Sequence, residues 1–543
     1  MKPAASLLIT NARVWTDGRV DERADAIALT GERVLAVGRA AGLAPLVGPD
    51  TGRLDAGGAT VTPGLVDSHL HLLAWARSLD EVALAGTASR QEALGRVAAF
   101  VAAEPGAGPV SGRGWDANAW SEPPERACLD AVTGGRPVLL HSKDYHAVWV
   151  NSAALREAGV TRATPDPQGG RIERDAAGEP TGIVREHAVR LFAALESRAV
   201  RGSDLERLAR AVRRLHAHGV TMVHDFDGAE ALPLLRVLLR DPGSPRLRVV
   251  AHLPHAELEA ALALGLESGT GDDSFRYGAV KLFADGTLGS RTAALLEPYE
   301  GTTETGMDLM PPGELARAVA LAAGGGLSVA VHAIGDRAVR SALDALEASG
   351  EALARLALPP RIEHVQLLDP ADRPRFARLG VWASLQPTHC VADIEVAERG
   401  WGERARRSYP WRSLLDAGAS LAFGSDAPVE APVPAAGLQA ALTRQRVDGT
   451  PAGGFVPGER IGLDEALRAY TAGGAALAGR AAGLGRIAPG CTADLVVWDA
   501  DLHRLDASML HGVRPACTLL AGAAVHPGPL AWQPAVHSPR QGS

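Results

Sequence analysis

The sequence predicts an α/β fold: a (β/α)8 TIM-like barrel with a small β-sandwich domain formed from both termini and an insertion after barrel strand 1. Three observations carry this prediction. Apolar runs of strand length alternate with Ala-, Leu- and Arg-rich stretches of helical period, which is typical of parallel β/α proteins. These runs number eight, as a closed barrel requires. The two chain ends instead alternate like strands separated by turn residues.

The chain ends are predicted to form one small domain, residues 1–60 together with 484–530. Near the N-terminus, LLITNARVWT and DAIALTGERVLAVG alternate like strands, and GLGRIAPGCTADLVVWDADL and CTLLAGAAVHPG do the same near the C-terminus. Strands from the two ends that pair with each other enclose everything between them. Residues 531–543 are expected to be a Pro-rich tail.

Residues 61–483 are predicted to form the barrel. Its strands are expected, in chain order, in ATVTPGLVD, GVTMVHD, RLRVVAHL, GAVKLFAD, LSVAVHA, PRIEHV, GVWASLQP and SLAFGSD. The gap of about 140 residues between the first two runs is too long for a single crossover. We therefore assign residues 78–202 to an insertion beside the barrel mouth, where the loops that follow the strands lie.

Composition excludes several classes of function. The chain has 543 residues and a net charge of −8 without any run of Lys or Arg, so neither nucleic acid nor a membrane is expected as a partner. Its four cysteines form no CxxC pair, which favours buried thiols over disulfides or structural zinc. The N-terminus lacks signal-peptide features and no long apolar run follows, so a cytoplasmic protein is expected.

Two histidines one residue apart suggest a metal site. His69 and His71 follow the first apolar run, and side chains two apart on a strand point to the same face. Such a pair also occurs by chance on exposed strands, so the rest of the chain must supply further ligands. The same height on other predicted strands carries Lys281, His332, His364 and Asp426. These six residues are predicted to meet at the carboxyl ends of the barrel strands.

Each of these residues also has a structural interpretation when taken alone. Asp426 in GSDAP is a typical turn residue, and His332 and His364 fit as hydrogen-bonded histidines at the barrel end. Their joint occurrence at one height favours the metal site. Lys281 in AVKLF is hard to explain structurally, because an unpaired ammonium inside a barrel is heavily penalised.

The order of these residues resembles the amidohydrolase superfamily, in its branch with two metals bridged by a carboxylated lysine. Finer motifs are similar to its YtcJ-like branch, which includes the N-substituted formamide deformylases. They are GRGWDANAW, DYHAVWVNSAAL, VKLFADGTLGSRTA, VHAIGDRAV, RIEHVQ, FGSDAPV and the closing GRIAPGCTADLVVWD. The resemblance covers nearly the whole chain.

The resemblance implies two divalent metal ions and a CO2-derived carbamate on Lys281 that bridges them. His69 and His71, with Asp426, would hold one metal, and His332 and His364 the other. Asp426 would also act as general base, taking the proton of a hydroxide shared by the metals. Zinc suits imidazole and carboxylate ligands, and manganese, iron and cobalt remain open.

Five further residues are candidates for substrate binding. His224 and Arg291 are expected at mouth height, with structural hydrogen bonding as the alternative. Trp115 and His146, together with Tyr145, are candidates for roofing the pocket from the insertion, although such aromatics more often form a small core of their own. His389 follows the seventh strand and is predicted to bind the leaving group or the oxyanion.

The predicted function is hydrolysis of a C–N bond other than a peptide bond, in a small-molecule amide or formamide. The alternatives are a mononuclear deaminase or a hydrolase of a lactone or cyclic amide, because one fold serves many substrates. A protein that keeps the scaffold without catalysis is a third alternative, which the presence of Lys281 and Asp426 disfavours. A homodimer is expected from the family resemblance.

Overall fold

The computed structural model describes residues 4–103, 106, 108–117, 120–143, 147–199 and 203–527. These residues form two compact units. The first comprises the described parts of Met1–Ala74 and Leu208–Ser543, and the second is Trp75–Arg207. The predicted insertion, 78–202, lies within the second unit, and the predicted tail, 531–543, lies outside the described residues.

Seven short strands precede the barrel, with one short helix, α1 (Ala40–Leu43), among them. They are β1 (Leu7–Thr10), β2 (Arg13–Thr16), β3 (Arg19–Val20), β4 (Ala26–Thr30), β5 (Arg33–Gly38), β6 (Gly52–Asp55) and β7 (Thr60–Pro63). The chain then enters β8 (Leu65–Leu70), which is the first barrel strand, and helix α2 (Leu72–Ser78).

The second unit contains a six-stranded sheet in the order β13-β14-β12-β11-β10-β9. Its strands are β9 (Val82–Ala83), β10 (Val110–Trp115), β11 (Val138–Ser142), β12 (Ala147–Val150), β13 (Gly170–Arg174) and β14 (Pro180–Glu186). Its helices are α3 (Arg90–Ala103), α4 (Arg126–Val132), α5 (Ser152–Glu157) and α6 (Ala193–Ala199), and α7 (Asp204–Ala217) leads back to the first unit. The Asn151 side chain accepts a hydrogen bond from Ala154 N and so begins α5.

The other seven barrel strands follow in chain order. They are β15 (Val220–Asp225), β16 (Arg248–Pro254), β17 (Phe275–Phe283), β18 (Val329–Ala333), β19 (Arg361–His364), β20 (Trp382–Leu385) and β21 (Ser420–Phe423). With β8 they form one eight-stranded parallel sheet in sequential order. Their residues are mostly buried and apolar, because a parallel sheet of this type is covered on both faces.

The helices of the first unit lie between and after these strands. They are α8 (Ala231–Arg240), α9 (Leu258–Ala263), α10 (Pro312–Gly324), α11 (Asp336–Ala348), α12 (Gly350–Leu353), α13 (Arg373–Leu379), α14 (Pro387–Ala392), α15 (Ile394–Trp401), α16 (Trp411–Asp416), α17 (Pro434–Thr443), α18 (Leu463–Arg468) and α19 (Gly474–Leu477). Among the described residues, no helix combines the length and the apolar character needed to cross a bilayer.

The barrel closes at its carboxyl end between β21 and β8. Asp426 N donates to His69 O at 2.6 Å, and His71 N donates to Ala427 O at 2.8 Å. Gly424 lies at this seam, and a Cβ on it would stand 2.4 Å from His69 N. The closure therefore requires glycine there and brings two predicted metal ligands, His69 and Asp426, onto adjacent backbone.

The strands of the two chain ends form two sheets that share one apolar core. The last strands are β22 (Leu495–Trp498), β23 (Pro515–Leu520) and β24 (Ala523–Pro527), and the sheets run β5-β4-β1-β6 and β24-β23-β22-β7-β2-β3. Strand β22 pairs antiparallel with β7, which joins the C-terminal strands to the N-terminal ones. The predicted fold class, a barrel with a β-domain from both termini and an insertion after the first strand, is confirmed.

One predicted strand is wrong in its extent. The run ATVTPGLVD was assigned as a single barrel strand, but it divides at Gly64. Residues Thr60–Pro63 belong to the terminal sheet, and the barrel strand begins at Leu65. A Cβ on Gly64 would meet Thr221 Oγ1 at 2.2 Å, so the chain passes from one sheet to the other where only glycine fits against β15.

Candidate metal centre

The six predicted metal ligands lie at or close to the carboxyl ends of five barrel strands. His69 and His71 come from the end of β8, and Lys281 lies near the end of β17. Three others end or follow β18, β19 and β21; they are His332, His364 and Asp426. The parallel barrel thus brings together residues far apart in the sequence.

Asp426 lies at the centre of this group. Its Oδ1 is 3.5 Å from His69 Nε2 and 3.6 Å from His71 Nε2. One donor atom each from His69, His364 and Asp426 lie within 4.8 Å of one another, an arrangement that can hold a metal ion. This trio combines His364 with two residues that the resemblance assigns to the other metal.

Three histidines each have one ring nitrogen bonded to an oxygen. His69 Nδ1 is 2.7 Å from Glu363 Oε2, His332 Nε2 is 3.0 Å from Gly286 O, and His364 Nδ1 is 2.9 Å from Gln386 Oε1. Because these oxygens act as acceptors, the bonded nitrogen carries the proton. The other nitrogen, which is Nε2 of His69, Nδ1 of His332 and Nε2 of His364, keeps its lone pair free for a metal.

The protonation states of these three histidines and of Asp426 are those that metal binding requires. Burial, followed by the charge of Lys281, lowers the pKa of His69 to about 4 and that of His332 to about 3. Burial also holds the pKa of His364 well below its usual value. Neutral imidazoles are the form in which histidine binds metal. Burial alone would raise the pKa of Asp426, but the neighbouring histidines, His69 first, hold it well below its usual value, so the carboxylate is ionised.

Lys281 is 6% exposed and lies between two aromatic rings. Its Nζ is 4.7 Å from the Phe226 ring centroid and 4.9 Å from that of Phe283. Burial lowers the pKa of Lys281 to about 8. Among the described residues no carboxylate lies within 4.0 Å of this amine, so the protein leaves it without the ion pair that a structural buried lysine requires.

Two of the predicted ligands have left-handed backbone conformations. The φ angle of His364 is +76° and that of Asp426 is +58°. Residues without glycine's freedom adopt this region at a cost, and such strain is concentrated at functional sites. Here the chain turns where β19 and β21 end, and the turn places both side chains in the centre.

His389 joins the centre from α14. Its ring is 6.2 Å from that of His364 and nearly parallel to it, and its Nε2 is 3.8 Å from Asp426 Oδ2. This nitrogen is buried and has no hydrogen-bond partner among the described residues. A buried ring nitrogen without a partner, beside the predicted metal centre, is suited to hydrogen bonding with a bound molecule.

The structure places the other residues that were predicted to contact substrate in different surroundings. His224, the penultimate residue of β15, is fully buried; its Nε2 bonds Gly474 O and its Nδ1 accepts from Arg361, so the structure favours the alternative of structural hydrogen bonding. Arg291 is exposed in the loop after β17, with φ of +56°.

Trp115 is 3% exposed in the core of the second unit, and its indole nitrogen donates to Leu140 O. These contacts account for Trp115 without a ligand. His146 and Tyr145 lie outside the described residues.

The sequence interpretation missed a set of buried polar side chains that bind the predicted ligands or the backbone next to them. They are Asp67, Asp285, Arg361, Glu363 and Gln386. Glu363 and Arg361 were detectable, since two opposite charges two residues apart on a fully buried strand indicate a paired function. Burial raises the pKa of Asp67 and of Asp285 to about 7, and each accepts backbone N–H groups from neighbouring strands or loops.

The chain is similar to known proteins over most of its length. The chain matches a model of the Amidohydrolase family over residues 53–526. It is 34% identical to protein LONG AFTER FAR-RED 3 of Arabidopsis thaliana, over 93% of this chain and 90% of that protein. It is 32% identical to the putative amidohydrolase YtcJ of Bacillus subtilis, over 88% and 91% of the two chains.

Two further proteins share about the same identity. The N-substituted formamide deformylase of Arthrobacter pascens is 31% identical over 92% of this chain and 94% of that protein. The crystal structure of an uncharacterized metal-dependent hydrolase from Pyrococcus furiosus is also 31% identical, has a TM-score of 0.69 and covers 90% of this chain and 98% of its own.

Proposed function

The chain belongs to the amidohydrolase family, and we propose that it is a metal-dependent hydrolase of a C–N bond other than a peptide bond, in an amide or an N-substituted formamide. The observation that carries the proposal is the set of three neutral imidazoles, each with one nitrogen free, around the ionised Asp426. The relatives confirm the family that the motifs indicated.

The donor set suits divalent cations. We assign His69, His71 and Asp426 to one metal ion and His332 and His364 to a second, with zinc as the expected metal. Such ions, when bound, polarise the substrate carbonyl and lower the pKa of a water molecule. The buried side chain of Lys281 supports a carbamate: its neutral amine would add to CO2 with loss of one proton, and the product would supply oxygen ligands for divalent cations.

Asp426 moves the proton. Its carboxylate takes a proton from the attacking water as the C–O bond forms, and delivers it to the amide nitrogen as the C–N bond breaks. The balance is one water and one amide consumed, with one amine and one carboxylic acid formed.

His389 is suited to orient the substrate. Its unpartnered Nε2 lies on the Asp426 side of the centre and offers a hydrogen bond to the substrate carbonyl oxygen or to the departing nitrogen. The substrate class itself is supported by the relative named N-substituted formamide deformylase. The second unit contains two motifs that carried the resemblance, GRGWDANAW and DYHAVWVNSAAL, and we propose that it sets substrate specificity.

The test is a substrate screen. Protein prepared with zinc and bicarbonate is incubated with N-alkyl and N-aryl formamides, N-acyl amines, cyclic amides, lactones and aminopurines. We expect turnover of formamides or amides with equal release of amine and acid. Turnover confined to lactones or aminopurines would refute the substrate class, and metal-loaded protein inert towards every compound would count against the hydrolase.

A mononuclear enzyme, such as a deaminase, is the second candidate. It is favoured by the compact trio of His69, His364 and Asp426, which in the described part of the chain is the one group of three side chains close enough to hold an ion. Metal analysis separates the two candidates, since the binuclear proposal expects two ions per chain in fully active protein. One ion per chain at full activity would support the mononuclear alternative.

A further inference from the structure

Arg361 is a charged residue in the interior of the barrel. It begins β19 and is 1% exposed, and its guanidinium lies 5.3 Å from the centroid of the Phe226 ring. A buried arginine is costly unless its donors are satisfied. Its contacts therefore indicate what the residue holds in place.

The guanidinium binds groups on four different barrel strands. Its Nε donates to Glu363 on its own strand, and its Nη1 donates to His224 Nδ1 on β15 at 3.1 Å. Its Nη2 donates to Ser384 Oγ on β20 at 2.9 Å and to Ser68 O on β8. Only the fork of an arginine can reach acceptors in this many directions.

Two of these contacts, those with Ser68 O and with Glu363, constrain the position of His69. The bond to Ser68 O fixes the backbone immediately before His69, and Glu363, held by Arg361, accepts from His69 Nδ1 at 2.7 Å. The Phe226 ring supports the third side, stacked 4.1 Å from the His69 ring. His69 is thus fixed at its backbone, at one ring nitrogen and at one ring face.

We propose that Arg361 and Glu363 are positioning residues that set the affinity of the metal centre through His69. The pair keeps His69 as the Nδ1–H tautomer and directs its Nε2 towards Asp426. Because His364 directly follows Glu363 on β19, the same pair also fixes the separation between one ligand of each predicted metal. This inference rests on the proposed metal-dependent function.

A second buried ion pair in the same unit provides a matched control. Arg248 Nε is 2.6 Å from Asp494 Oδ2 and Arg248 Nη2 is 3.0 Å from Asp494 Oδ1. This pair is likewise buried, but Arg248 begins β16, at the end of the barrel opposite the metal ligands. Removing it tests the general cost of losing a buried pair.

The experiment compares Arg361→Met/Glu363→Gln with Arg248→Met/Asp494→Asn. Each double variant removes both charges, so no unpaired charge stays buried. Metal-free proteins are titrated with Zn²⁺ against a chromophoric chelator, and the absorption spectrum of Co²⁺ in the site is recorded. Urea unfolding measures stability. We expect the first variant to bind Zn²⁺ about 10 to 100 times more weakly, as for other lost partners of ligating histidines, with a changed Co²⁺ spectrum.

The control variant is expected to lose stability and to keep wild-type affinity and spectrum. Arg361→Lys, which keeps the charge and Glu363, should give an intermediate affinity, and it replaces the double variant if that one does not fold. Wild-type affinity and spectrum in a folded Arg361 variant would overturn the positioning role. Wild-type protein that binds no metal would instead contradict the proposed function itself.

Discussion

At the scale of single residues, Asp426 is the most crowded group of the centre. Its carboxylate lies 3.5 Å from His69, 3.6 Å from His71 and 3.8 Å from His389. These neighbours keep it ionised despite its burial. The proposed function gives these oxygens two roles, metal ligand and proton acceptor, and substitution can separate the two.

Asp426→Asn keeps a coordinating oxygen and removes the proton acceptor. We expect metal content to survive while kcat falls by about 10²- to 10⁴-fold, the usual range for a lost general base. Metal analysis and steady-state kinetics on the same preparation provide the measurement. Asp372→Asn, at a buried aspartate that binds Arg340 and Arg375, is the control and should keep wild-type kcat. An Asp426→Asn enzyme with near wild-type turnover would exclude Asp426 as the base.

Lys281→Ala should remove metal as well as activity. The buried amine has no carboxylate partner within 4.0 Å among the described residues, so its expected use is as a carbamate bridge. Alanine leaves a space in which a short carboxylic acid fits. We expect metal content to fall below one ion per chain, with added propionate restoring part of it and part of kcat. A variant that keeps two metal ions without propionate would show that Lys281 is no bridge.

At the scale of secondary structure, strand β19 shows which features could be predicted from the sequence and which could not. The motif RIEH placed His364 at the barrel end, because apolar run length and strand order suffice for that. The sequence did not reveal that Arg361 and Glu363 hold His69, since hydrogen bonds across a barrel depend on side-chain directions from distant strands. The role of His224 stayed open at the level of sequence for the same reason, since its partners, Gly474 and Arg361, come from distant parts of the chain.

The pairing of β21 with β8 at the seam requires a glycine at position 424. A Cβ at Gly424 would lie 2.4 Å from His69 N and 2.9 Å from Asp67 Oδ1. Gly424→Ala should therefore destabilise the protein by about 1 to 3 kcal/mol, as overpacking does, and weaken metal binding through the displaced His69. Gly324→Ala at the end of α10, where a Cβ meets open space, is the control for urea unfolding. Equal stability and metal affinity in both variants would contradict this account of the seam.

At the scale of the whole molecule, the barrel is joined to the strands of the chain ends through buried polar contacts. His216 on α7 is 1% exposed, and its carbonyl oxygen accepts from Thr518 Oγ1 of β23 at 2.7 Å. Its Nε2 has no hydrogen-bond partner among the described residues. Burial lowers the pKa of His216 to about 4, so folding requires the neutral ring.

This burial predicts acid sensitivity. In the unfolded chain a histidine titrates near its ordinary pKa of about 6.5. The stability that depends on neutral His216 is complete above that pH and is lost as pH falls from 6.5 towards 4, because protons then favour the unfolded chain. Between pH 7 and pH 5 this one group should account for a loss of about 2 kcal/mol in the free energy of unfolding.

The measurement is urea unfolding at pH 7 and pH 5 in metal-free protein, so that release of metal from the centre does not contribute. His216→Gln removes the titrating ring, and we expect the fall in stability between the two pH values to shrink by about 2 kcal/mol relative to wild type. His255→Gln makes the same exchange at an exposed position and should leave the fall unchanged. If both variants lose stability on acidification as steeply as wild type, the acid sensitivity arises from other groups and His216 is not held neutral by the fold.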